Sequence, residues 1–151
     1  MFEKKPLIIE NARIMFRNFS GEKGKYNKDG LRTFSVKIED PELADRMAAD
    51  GWNVRVLDPK EEGDLPAFHL PVAVSYEYNP PRVTMIRNGR KVELSLDNIG
   101  ELDYETIIGA DVEINPYEWD VNGKHGIKAY LKRLYIEVEA DPFADKYADC
   151  R

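Results

Sequence analysis

Asn115-Pro-Tyr-Glu-Trp-Asp-Val-Asn-Gly-Lys-His-Gly-Ile-Lys-Ala-Tyr-Leu-Lys-Arg133 reads as two strands joined by a turn. Asn122-Gly123 carries the turn, because a tight primed hairpin needs positive φ at both central residues and Asn and Gly tolerate it. Lys124, His125 and Gly126 leave room for a longer loop or a bulge. Successive strand side chains alternate, so Asn115, Tyr117 and Trp119 share one face of the first arm. Lys128, Tyr130 and Lys132 share one face of the second. Rings beside cations are what an unpaired nucleic-acid strand needs, π-faces for bases and positive charge for phosphates. The same pattern also serves as plain cross-strand pairing that stabilises a sheet.

Around this hairpin the chain has 151 residues, enough for one domain with a proper core. It is 42% hydrophobic and 33% charged, which excludes a disordered chain. No apolar run approaches a membrane span, and the N-terminus lacks a signal-peptide core. The single cysteine, Cys150, permits no intrachain disulfide, and a cytosolic setting fits. The net charge of −6 argues at first against nucleic acid, but its distribution argues otherwise. Residues 1–37 hold nine Lys/Arg against four Asp/Glu, and residues 124–139 hold four against two. The body between them is acidic. If the first and last strands lie close together, they form one basic surface.

From the N-terminus, Pro6 to Phe19 reads as a long strand. Ile8, Ala12, Ile14 and Phe16 form its expected core face, and Asn11, Arg13, Met15, Arg17 and Phe19 the other. Ser20 to Gly30 is a loop by composition, with Lys25 and Tyr26 placed to fold over a bound strand. Leu31 to Ile38 follows as a strand with Phe34, Val36 and Ile38 inward. Asp40-Pro41 opens a helix to Asp50, with Leu43 and Met47 as its buried stripe and Gly51 as its stop. Trp52, directly after that stop, anchors the core or stacks a base, and its position favours the core, ahead of further strand character to Leu57. Asp58 to Pro66 is an acidic loop, and Leu70 to Ser75 a strand. Val83 to Leu94 is a second hairpin around Asn88-Gly89. Its tip, with Arg87, Arg90 and Lys91, serves either a phosphate or solubility. A short helical turn fits Asn98 to Leu102. The apolar phase of the last strand switches between Leu131 and Leu134, which calls for a bulge near Lys132-Arg133. Residues 1–139 form the expected domain, and residues 140–151 a short polar tail.

The sequence contains no phosphate loop, no dinucleotide fingerprint, no zinc-protease motif and no nucleophile elbow. No catalytic residue, metal site or cofactor is therefore assigned. The acidic cluster Asp97, Glu101, Asp103 and Glu105 reads as surface rather than a Mg²⁺ site. Many coiled antiparallel strands with extended hairpins and one short helix make the fold mainly β, an OB-type antiparallel barrel.

Three stretches, Arg13–Phe19 with the glycine-rich loop after it, Asp50–Val54, and above all Asn115–Gly123 through Lys128–Leu131, resemble the OB-fold single-stranded-DNA-binding proteins of tailed bacteriophages. The likeness extends over residues 7–139. It implies a non-enzymatic, sequence-independent binder of single strands in phage DNA replication, recombination or repair, working in the bacterial host cytoplasm. Replication or recombination proteins are the implied protein partners, and no membrane is involved. On this reading Arg13, Arg17, Lys25, Lys124, Lys128 and Lys132 contact phosphates, while Phe19, Tyr26, Tyr117, Trp119 and Tyr130 stack bases. The tail lacks the acidic, hydrophobic-ended peptide with which cellular single-strand binders recruit partners. The alternative is a protein-interaction adaptor on the same barrel, using Asp58–Asp64 and Glu101–Glu105. A homo-oligomer is compatible with the sequence, which sets neither oligomeric state nor a preference for DNA over RNA.

Overall fold

The computed structural model describes residues 5–25, 27, 30–59, 62–77, 79–141 and 143. Among the described residues nine strands and one α-helix follow in order: β1 (Leu7–Ile9), β2 (Ile14–Asn18), β3 (Thr33–Ile38), α1 (Pro41–Asp50), β4 (Arg55–Leu57), β5 (Ala67–Ala73), β6 (Arg82–Arg87), β7 (Arg90–Leu94), β8 (Ile107–Val121) and β9 (Lys124–Val138). A 3₁₀ turn, Ile99–Asp103, precedes β8. The main path of the sheet is β1-β8-β9-β5-β3-β2. Its two ends are consecutive pieces of one N-terminal arm. Ala12 N–H donates to Ala110 of β8, while Arg13 C=O accepts from Lys37 of β3. Adjacent residues of a strand bond to opposite sides, so the arm closes the sheet on itself. The fold is mainly β and of the OB type.

The β8–β9 ladder is the long wall of this barrel. Its turn is the two-residue Asn122-Gly123, with φ of 52° and 78°, and Val121 pairs Lys124 directly. The longer-loop alternative does not arise. The register slips between Glu113 and Ile114, which pair Arg133 and Leu131 and leave Lys132 as the extra residue. This is the bulge that the apolar phase switch required. It lets Ile127, Ala129 and Leu131, then Leu134, Ile136 and Val138, all face the core. Beyond the bulge, β6 adds to β9 in parallel and carries β7 with it as a hairpin.

The N-terminal strand departs from the expected alternation at two residues with left-handed backbone. Asn11 has φ of 52°, and Phe16 has φ of 50°. Before Asn11 the inward residues are Leu7 and Ile9, which pair Ile114 and Val112, so Ile8 is exposed. After it, Ala12 is inward. At Phe16 two residues, Phe16 and Arg17, stand against one on β3. That bulge throws Phe16 outward, where it is 57% exposed, and brings Phe19 fully inside. Phe19 stacks on Phe34 at 5.1 Å between centroids. Phe19 is therefore a core residue and not a base-stacking one, and Phe16 is not part of the core.

Helix α1 is capped as its sequence dictates. Asp40 accepts the Glu42 N–H at 3.0 Å, and Gly51 ends the helix at φ of 110°. Its buried residues are Ala44 and Met47; Leu43, expected in the buried stripe, is exposed. The 3₁₀ turn is locked to β2 from both sides. Asp103 accepts the N–H groups of Phe19 (2.7 Å) and Ser20 (3.0 Å), and Arg17 donates to the carbonyls of Leu102 and Glu105. Glu105 also pairs with Arg87, so two members of the acidic cluster serve as structural partners.

Two predictions follow from this packing. Phe19→Ala should lower the unfolding free energy by about 3–5 kcal/mol in a urea titration, the cost of a large cavity in a closed core. A base-stacking surface residue would show almost none of that loss. The second concerns His69, which is buried with its Nδ1 3.0 Å from Ser35 Oγ. Burial first, and Arg55 second, hold its pKa below 6.5. The ring is then neutral in the fold, and the unfolded chain takes up the proton first as pH falls. Stability should be full above about pH 6.5 and decline below it, before the carboxylates titrate. His69→Gln should flatten that part of a denaturation-midpoint profile.

Candidate nucleic-acid interface

The hairpin arms put their polar and aromatic side chains on one outer face, because paired residues across a ladder point the same way. Trp119 opposes Gly126, Tyr117 opposes Lys128, and Asn115 opposes Tyr130. The Trp119 indole lies directly over the Gly126 backbone. A Cβ on residue 126 would stand 2.7 Å from the indole Cζ2, so glycine is what lets the ring lie flat there. The Tyr117 and Tyr130 rings meet edge to face at 6.0 Å, and Lys128 Nζ sits 5.1 Å from the Tyr130 centroid.

The face does not stop at the hairpin. Tyr130 pairs Ala73, Ala73 pairs Thr33, and Thr33 pairs Asn18. Small side chains thus floor the sheet beside the aromatic hairpin. A groove of about 930 Å³ runs between them, walled by Gly30–Thr33, by Trp52 and Asn53, by Pro71–Glu77 and by Trp119 with His125–Tyr130. Its walls are the loop after the first strand and the last hairpin, the two loops that flank the binding face of OB barrels.

Arg32 and Tyr76 lie at the rim of this groove. Arg32 is half-buried, its Nε has no hydrogen-bond partner, and its guanidinium forms no ion pair with any described residue. The Tyr76 hydroxyl is also buried without a partner. Burial raises the Tyr76 pKa, and the neighbouring Arg32 charge acts in the opposite direction. Buried polar groups are nearly always paired, so an orphaned donor pair at a cavity marks a place for an acceptor-rich ligand. Sequence reading passed over both residues. The available signal was parity: Arg32 continues the inward row of Phe34, Val36 and Ile38, and Tyr76 that of Val72 and Val74. A charge on an apolar row belongs where that row runs out of core.

The other expected contacts divide. Trp119, Lys128 and Tyr130 line the groove, and Tyr117 packs beside it on the same face. Lys124 follows the turn at the exposed tip, and Lys25 is exposed on the glycine-rich loop. Trp52 does both jobs, packing on the core and lining the groove. Lys132 and Arg133 share Glu113, at 3.8 and 3.2 Å. Arg13 pairs with Glu39 at 3.3 Å, away from the groove. Arg17 donates from Nη1 to two backbone carbonyls, which ties its guanidinium to the 3₁₀ turn. Tyr26 lies outside the described residues. The two basic ends are not neighbours either: β8 separates β1 from β9 on one side, and β3 and β5 separate β2 from β9 on the other.

Among the described residues no group of three or more His, Cys, Asp or Glu is placed to hold a metal, and no helix is long and apolar enough to cross a membrane. No curated protein matches the chain in sequence. Solved structures do. A C-terminal truncation of the single-stranded-DNA-binding protein from bacteriophage Enc34 superposes with a TM-score of 0.53 at 14% identity, over 91% of this chain and 88% of that one. The same bacteriophage Enc34 protein in complex with ssDNA gives 0.52 at 14% identity, over 91% and 89%. At that identity the likeness is one of fold. The family is shown by the sequence itself, since residues 2–151 match the model described as "Putative phage ssDNA-binding domain". The chain belongs to the phage ssDNA-binding domain family.

Proposed function

We propose that this chain is a non-enzymatic, sequence-independent single-stranded-DNA-binding protein acting in phage DNA replication, recombination or repair. The observation that carries the reading is the groove itself. Its lining brings together the Arg32 guanidinium, which forms no ion pair with a described residue, the unpartnered Tyr76 hydroxyl, rings at Trp119, Tyr130 and Trp52, and Lys128. Phosphate oxygens are acceptors only, so a rim of donors suits a backbone, and flat rings accept any base. Nothing in this set reads a base edge in the paired, bidentate way that sequence specificity requires. The complex with ssDNA of the structurally similar Enc34 protein supports the same reading. The bacterial host cytoplasm is the setting, residues 1–139 are the binding unit, and replication or recombination proteins are the expected partners. Acidic loops elsewhere on the surface discourage duplex binding and keep the free protein soluble.

The test is a titration with a thymidine oligonucleotide at several salt concentrations, followed by anisotropy and tryptophan emission. The wild type should bind with quenching, and its affinity should fall steadily as salt rises. Trp119→Ala should weaken binding about tenfold or more, the worth of one good stack. Arg32→Gln should weaken it and reduce the slope of log affinity against log salt by about 0.7, one phosphate contact on a single strand. Wild-type affinity and slope in both variants would remove the groove as the binding site.

Gly126→Ala gives an independent check. The three atoms nearest that methyl group all belong to the indole, so the fold should survive while Trp119 is pushed off its seat. Affinity should fall as far as in Trp119→Ala, with the circular dichroism melt nearly unchanged.

A further inference from the structure

The outer face that floors the groove continues past it. Beyond the row of Asn18, Thr33, Ala73 and Tyr130 comes the row of Met15, Ser35 and Pro71. Beyond that, Lys37 pairs His69, and His69 pairs Arg55. Arg13 bonds Lys37 on the other side, which completes a transverse row of Arg13, Lys37, His69 and Arg55. Glu39 is the acidic partner of this row, shared by Arg13 and Lys37. The last row lies two residues beyond Pro71, where the groove ends on β5, about 7 Å at 3.3 Å per residue.

Phe16 stands over that row. Its ring meets His69 edge to face at 5.1 Å and 60°, and it is 57% exposed. Its backbone is left-handed at φ of 50°, an uncommon state for a bulky residue, held by the bulge in β2. Bulges beside binding sites commonly re-aim a side chain, and here the bulge lifts a phenyl ring out of the core onto the outer face. A hydrophobic ring held in a strained conformation, exposed and flanked by Lys37 and Arg55, has the composition of a stacking site for an unpaired base.

We propose that Phe16 is a second stacking platform, which takes a nucleobase of the strand where it leaves the groove, with Arg55 neutralising the adjoining phosphate. The bound strand then runs from Trp119 across Tyr130 and the small residues of β3 and β5 to Phe16. This rests on the single-strand reading of the groove and adds a site that the groove does not contain.

The experiment compares thymidine oligonucleotides across about 4–16 nucleotides, the range that OB folds occupy. Phe16→Gly is the informative variant, because glycine adopts positive φ without strain and keeps the bulge. The wild type should gain affinity with length beyond the groove. Phe16→Gly should bind the shortest ligands as the wild type does and lose about fivefold or more on the longer ones. Phe16→Trp should add an emission signal that long oligonucleotides quench and short ones do not. Equal affinity of wild type and Phe16→Gly at every length would overturn the proposal, as would a loss that is the same at every length. If the wild type binds no oligonucleotide at any length, the reading of the groove itself fails.

Discussion

The ladder between β8 and β9 is the constraint on which the rest of the structure depends. It is a wall of the barrel and a display surface at once, because each strand alternates inside and outside. Ile127, Ala129 and Leu131 enter the core, while Lys128 and Tyr130 between them face out. The bulge at Lys132 keeps the core face continuous into Leu134, Ile136 and Val138, where β6 joins. Without that extra residue, one half of β9 would turn its apolar side to water. The strand is therefore free to carry rings and cations outside only because its inner row is fully satisfied.

Much of this was legible in the sequence. The hairpin, its turn, the bulge, the helix with its caps, the 3₁₀ turn and the second hairpin all carry local signals, namely alternation, Asn-Gly pairs and an Asp-Pro start. Illegible were the two left-handed residues, Asn11 and Phe16, in the first strand. Neither is glycine, and no pattern in the sequence announces them. Each shifts the alternation by one residue, so Ile8 and Phe16 come out and Phe19 goes in. The role of Arg17 was hidden for a different reason. A guanidinium on a strand looks the same whether it meets a phosphate or two carbonyls from a turn more than 80 residues away. The parallel addition of β6 to β9 likewise depends on long-range pairing with no local mark.

Charge has the same logic. The chain is net acidic, yet the groove rim holds a guanidinium that forms no ion pair with any described residue, Glu77 of the same lining included. Elsewhere the half-buried cations are bound: Arg17 by carbonyls, Lys37 by Glu39 and Arg87 by Glu105. The contrast gives Arg32 its meaning. Half-burial without a partner weakens a fold, and the deficit is recovered when an anion arrives. Stacking rings give that anion's bases a place that does not depend on their identity. Together these features support the proposal of a surface for a charged, unpaired and sequence-neutral polymer.

The most direct test of this account is a residue-by-residue map of amide chemical shifts as a thymidine oligonucleotide is added. The account predicts shifts along one connected tract: Arg32 and Thr33, Ala73 to Tyr76, and Trp119 with Gly126 to Tyr130. The acidic segments Asp58–Asp64 and Glu101–Glu105 should stay still. Shifts confined to those acidic segments, with the groove unmoved, would contradict it and point instead to an adaptor that works through its acidic surface.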